Sequence, residues 1–198
     1  IYSNEELKKL VEIAVKKNKQ LLIHCNGDSA CNQMIEVLEK FPKDKLFRPV
    51  MIHAQLLPKE LMPKVKQLGI IPSFFVAHTF YFGDTHIKNL GSRAYNISPA
   101  NSALKNNILF TFHQDTPVIK PNMFETIWCA VNRLTRNNIT LGEDEKISVL
   151  DAIKAVTINS AYQYGEEKEK GSLAEGKRAD LIVVDKNPLK VKDIKEIK

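Results

Sequence analysis

The sequence predicts an α/β protein built on a parallel sheet. Three observations carry this. Short apolar runs alternate with amphipathic helical segments, the alternation recurs about every 30 residues as in βαβ units, and successive runs end in polar residues. The chain has 198 residues, 43% of them apolar and 26% charged, enough for one domain with a real core.

The first segment, "SNEELKKLVEIAVKKN", predicts an amphipathic helix. Ser3 caps it, Glu6 completes a capping box, and Leu7, Leu10, Val11 and Ala14 form its apolar stripe. "KQLLIH" follows as a strand buried on both faces. Gly27 and Asp28 turn the chain, with Asp28 as N-cap of the helix in "SACNQMIEVLEKF". "RPVMIH" is the next strand, "PKELMPKVKQLG" a helix stopped by Gly69, and "IIPSFFV" a third strand. "NNILFTFH" is the fourth. Helices are then expected in "NMFETIWCAVNRLTRNN" and, continuously, in "VLDAIKAVTINSAYQY", where Ser148 and Asp151 make the cap and Gly165 the stop. The last part, "GSLAEGKRADLIVVDKNP", reads as a small β element centred on a strand "ADLIVVD".

Composition narrows the function. The net charge is +6, but the lysines are scattered rather than clustered with stacking aromatics, which argues against nucleic-acid binding. No apolar run approaches the ~20 residues of a membrane span, and no secretory segment is expected among these residues; a cytoplasmic location is expected. Ile1, not Met, opens the chain. Cys25, Cys31 and Cys129 are an odd number with no C-x-x-C pair, against a disulfide framework or a thiolate zinc site. Cys25 beside His24 raises a thiol-hydrolase reading, but neighbours in a strand face opposite sides, and inert buried thiols are the simpler reading.

The chemistry gathers at strand ends. His24 ends "LLIH", His53 ends "VMIH", and Asp115 follows "LFTFHQD". Active sites of parallel α/β folds form at this C-terminal edge, and imidazole with carboxylate suits zinc or a similar divalent ion. His113 lies two residues from Asp115 and shares its side in extended geometry, as a support for the ligands. His78 and His86 are each either exposed loop residues or groups lining the site. Arg93 either meets a substrate group or forms a surface ion pair. Asp28 is most simply a helix cap, and Trp128 most simply core.

In order, "HCNGDSA", "HAQ", "SFFVAHTFYFGD", "LGSRAY", "HQDTPV" and "GSLAEGKRADLIVVDKNPL" resemble the C-terminal part of the amidohydrolase superfamily, nearest its YtcJ-like metal-dependent hydrolases of the amidohydrolase 3 family. The resemblance implies a TIM-type (β/α)8 barrel, of which this chain holds the C-terminal half, strands five to eight, plus a segment of a small β-sandwich. The corresponding domains are 1–168 and 169–198. It implies His24, His53 and Asp115 as metal ligands, with Asp115 also the catalytic proton shuttle. His78, Asp84 and Arg93 fall where that family places polar residues over the site. Apart from the resemblance, Asp28 and His113 are expected behind the ligands. The expected function is hydrolysis of C–N bonds in small amide-like substrates by metal-activated water. The H-x-H pair and the lysine of the first barrel half have no counterpart here. These residues alone are therefore expected to bind metal weakly and to lack amidase activity. The alternative is a non-catalytic half-barrel that self-associates or pairs with another chain. On either reading the partner is a second copy or the missing N-terminal half.

Overall fold

The computed structural model describes residues 2–197. Helix α1 (Asn4–Lys16) carries the expected capping box: the Glu6 amide donates to Ser3 Oγ, and the Ser3 amide donates to Glu6 Oε2 at 2.7 Å. Leu7 and Val11 bury its apolar stripe, whereas Leu10 is exposed. Strand β1 (Leu22–Cys25) leads to α2 (Asp28–Leu38). Gly27, not Asp28, occupies the N-cap of α2. Asp28 is instead its first residue, where its carboxylate accepts from the Ser29 amide.

Strand β2 (Val50–His53) is followed by a 3-10 turn (Lys59–Leu61) and α3 (Met62–Leu68). Gly69, at φ 67°, ends α3 in the left-handed conformation expected of a helix stop. Strand β3 (Ile71–Phe74) runs into α4 (His78–Tyr81) and α5 (Gly83–Leu90). Helix α6 (Ala100–Lys105) returns the chain to β4 (Thr111–Phe112), much shorter than "NNILFTFH" suggested. Helix α7 (Met123–Asn132) is capped by Asn122 Oδ1, which accepts from the Glu125 amide. Helix α8 (Val149–Val156) is capped by Ser148, which accepts from the Asp151 amide as expected. The continuous helix expected over 149–164 is in fact α8 and α9 (Ile158–Gln163), broken at Thr157. There the Thr157 hydroxyl donates to the Ile153 carbonyl at 2.7 Å, a local bond that competes with the helical ladder.

The four strands form one parallel sheet in the order β1-β2-β3-β4. Its apolar core includes Val11, Met34, Ile35, Met51, Phe74, Phe110 and Cys129. β1 is an edge strand and is not buried on both faces as expected: Leu22 is 47% exposed, because only β2 flanks it. The C-terminal segment also departs from expectation. "ADLIVVD" forms no strand; Leu181, Ile182 and Val183 are exposed, and no neighbouring strand among the described residues supplies the ladder a strand needs. The segment is held at its end, where Ile194 and Ile197 are buried and Lys195 Nζ stands 3.6 Å over the Trp128 ring. No helix among the described residues is long and apolar enough to cross a membrane.

Candidate metal centre

The sheet register sets Cys25, His53, Phe74 and Phe112 in one row, and His24, Ile52, Ser73 and Thr111 in the row before it. Adjacent rows face opposite sides, so a straight β2 would carry the rings of His24 and His53 apart. The backbone resolves this. His53 and Ala54 both take left-handed φ, 69° and 46°, at the end of β2. The His53 ring lies 4.6 Å from that of His24 and 4.9 Å from that of His113. Asp115, also left-handed at φ 51°, brings Oδ2 to 4.0 Å from His53 Nε2. Non-glycine residues in this region cost of order 1–3 kcal/mol each and cluster at functional sites.

His53, His113 and Asp115 each offer one ligand atom within 4.8 Å of the others. His24 touches this trio through the His53 ring. The His78 ring is 6.3 Å from that of His53, and its Nδ1 is 3.0 Å from His86 Nε2, which also meets Gln55 Nε2. All five histidines of the chain thus join one connected group. Burial lowers the pKa of His53, and more strongly that of His113, to about 4, and of His78, to about 3, with neighbouring imidazoles adding to it. Burial also lowers His86. These four rings are therefore held neutral, the state in which imidazole ligates metal.

His53 Nδ1 and His113 Nε2 are buried without a hydrogen-bond partner. An orphaned buried polar atom costs ~1–3 kcal/mol, and a divalent ion is the partner that this donor set fits. The cysteines stand apart from this chemistry. Cys25 Sγ donates to Met34 Sδ, and burial raises its pKa to about 12, which removes the thiol-nucleophile reading.

The remaining candidates lie farther out. Asp28 and Arg93 form an ion pair at 2.7 Å with both side chains about half exposed, at the rim of a cavity of about 330 Å³ lined also by Leu56, Lys59 and Asn96. Asp84 Oδ2 accepts from the Asn137 amide, and its Oδ1 is buried without a partner. Two contributors escaped the strand-end reading. His86 sits on α5 and His78 on α4, so their contact depends on the turn between two helices. Ser73 bonds His113 Nδ1, and its only mark in the sequence is a lone hydroxyl in an apolar strand.

The sequence model of the amidohydrolase family matches residues 1–198. The chain belongs to the amidohydrolase family. It is 28% identical to YtcJ of Bacillus subtilis (strain 168), named as an amidohydrolase, over 198 residues, covering 96% of this chain and 37% of that protein. It is 27% identical to the N-substituted formamide deformylase of Arthrobacter pascens over 192 residues, 95% of this chain and 35% of that one. Its fold resembles that of an uncharacterized metal-dependent hydrolase from Pyrococcus horikoshii OT3, with TM-score 0.85 and 24% identity over 98% of this chain and 39% of that one. The chain thus spans little more than a third of the length of these curated relatives. The amidohydrolase resemblance rests on this family, and the sheet that presents the histidines is the fold shared with that hydrolase.

Proposed function

We propose that this chain is the C-terminal half, strands five to eight, of a metal-dependent amidohydrolase barrel over residues 1–168, with residues 169–198 a segment of its small β-sandwich. The activity we assign to the complete assembly is hydrolysis of C–N bonds in small amide-like substrates. One observation carries the reading: His53, His113 and Asp115 converge from β2 and the end of β4 in a chain matched throughout by the amidohydrolase family.

His24, His53 and Asp115 would hold the ion, zinc by the chemistry of the donors. When bound, such an ion supplies Lewis acidity toward the carbonyl and acidifies water for attack near neutral pH. The chain's residues do the rest. Buried imidazoles stay neutral and keep their lone pairs. Asp115, whose side chain is 45% exposed, reaches both the ligand group and solvent. It accepts a proton from the attacking water on a carboxylate oxygen and returns it to the leaving nitrogen. His78, whose ring lies 6.3 Å from that of His53, is the group we assign to the substrate side of the ligands. Arg93, at the cavity rim, is the group we assign to a polar end of the substrate, and Asp84, held by the Asn137 amide with its other oxygen buried, is assigned to the polar surround of the pocket.

A second reading has its own support. Leu173, Ile182 and Val183 are 80%, 77% and 89% exposed, and β1 is an open edge, as in a half-barrel that pairs with another copy or a separate N-terminal half without chemistry. A cytoplasmic location fits three free, buried cysteines. The deciding experiment follows amine release from an N-substituted formamide, for this chain alone and mixed with a polypeptide supplying the first barrel half. The catalytic reading predicts an inactive chain alone and chelator-sensitive activity in the mixture. A stable mixture that releases no amine supports the non-catalytic reading.

A further inference from the structure

We propose that His113 is itself a ligand of the ion, through Nε2, and that Ser73 Oγ is the positioning group that aims it. The proposal rests on the metal-centre reading above and adds a ligand to the His24, His53 and Asp115 set.

His113 Nδ1 lies 3.0 Å from Ser73 Oγ. Its Nε2 is buried with no hydrogen-bond partner. A neutral imidazole carries one N–H, and a serine hydroxyl accepts as readily as it donates. With Nδ1–H donated to Ser73, Nε2 keeps a lone pair. The opposite tautomer would bury an N–H with no acceptor, at the cost of an unmade hydrogen bond. Metal-ligating histidines show the first arrangement, in which the other ring N–H is donated to an oxygen.

The fold explains how the pair forms. Ser73 pairs in register with Thr111, and His113, two residues beyond, falls on the same face of the sheet. Ser73 is 3% exposed, so its hydroxyl needs a partner inside the protein. It sits on β3, between the strand that ends in His53 and the strand that leads to His113. The same trio meets the distance condition for a shared ion, with one ligand atom each from His53, His113 and Asp115 within 4.8 Å of one another. His24 does not enter that trio.

The test is imidazole ¹⁵N–¹H spectroscopy of the 198-residue chain, metal-free and during titration with Zn²⁺ into the millimolar range. The expected result is an Nδ1–H tautomer for His113 without metal, and a shift of its Nε2 that tracks the His53 resonances as Zn²⁺ is added. Ser73→Ala is expected to weaken Zn²⁺ binding about 10–100-fold, the range for losing such a supporting bond, and Ser73→Thr to restore it. An Nε2–H tautomer, Zn²⁺ shifts at His53 but not at His113, or unchanged affinity in Ser73→Ala would overturn the proposal while leaving the metal centre in place. Absence of any imidazole shift up to millimolar Zn²⁺ would overturn both.

Discussion

His53 Nε2 and Asp115 Oδ2 stand 4.0 Å apart although β3 lies between the strand that ends in His53 and the strand that precedes Asp115. Both residues have left-handed backbones, so the approach depends on how two strands end rather than on their straight course. A strand end that leaves the ladder is free of its alternation, and a ring from one row can reach a side chain set by another.

Asp115→Asn keeps the size of the side chain and removes its proton-accepting charge. In the complemented enzyme, turnover of an N-substituted formamide should fall about 10²–10⁴-fold, the range for losing a general acid–base group. Steady-state amine release measures it. Turnover within a few-fold of the parent would remove Asp115 from proton transfer.

The pH dependence follows from the buried rings. His78 and His113 have folded pKa values of about 3 and about 4, against 6.5 when unperturbed. Between those limits the unfolded chain binds more protons than the folded one, so stability is full above about pH 6.5 and declines as pH falls toward 4. The melting temperature of the metal-free chain, followed across that window, should fall steadily. A flat profile would show that these rings are not desolvated.

Arg133 tests the scaffold behind the site. It is fully buried, and its guanidinium donates to the carbonyls of Leu141, Ser98 and Ile97. Arg133→Leu would leave these acceptors unpaired, each worth ~1–3 kcal/mol when orphaned. Urea unfolding should register a loss of about 3 kcal/mol or more.

The exposed apolar run of the C-terminal segment predicts association. Sedimentation of the chain should show self-association, or a complex when the first barrel half is present. Ile182→Asp with Val183→Asp should weaken it, because the two are 77% and 89% exposed and do not support the core. A monodisperse monomer would contradict this.

What could be read from the sequence was mostly local. The Ser3–Glu6 and Ser148–Asp151 caps depend on neighbours a few residues away, and both are present. His24 and His53 were legible as polar ends of apolar strands. The strand "ADLIVVD" was not, because a strand exists only with a partner and local propensity cannot supply one. The break at Thr157 depends on where one hydroxyl bonds, which helical periodicity does not report. His113 beside Asp115 was legible from their spacing, but the approach of both to His53, and the contacts of Ser73 and His86, arise from registers and strand ends that only the assembled sheet sets.

The C-terminal edge of this sheet gathers the groups that fit a divalent ion, with one ligand atom each from His53, His113 and Asp115 within 4.8 Å of one another. Paramagnetic broadening of backbone amides during Co²⁺ titration tests it directly, because it detects weak sites and locates them. Broadening should begin at His53, His113 and Asp115, reach His24, and be abolished by His53→Ala. Broadening centred elsewhere, such as the acidic turn Glu143–Glu145, or none at millimolar Co²⁺, would contradict it.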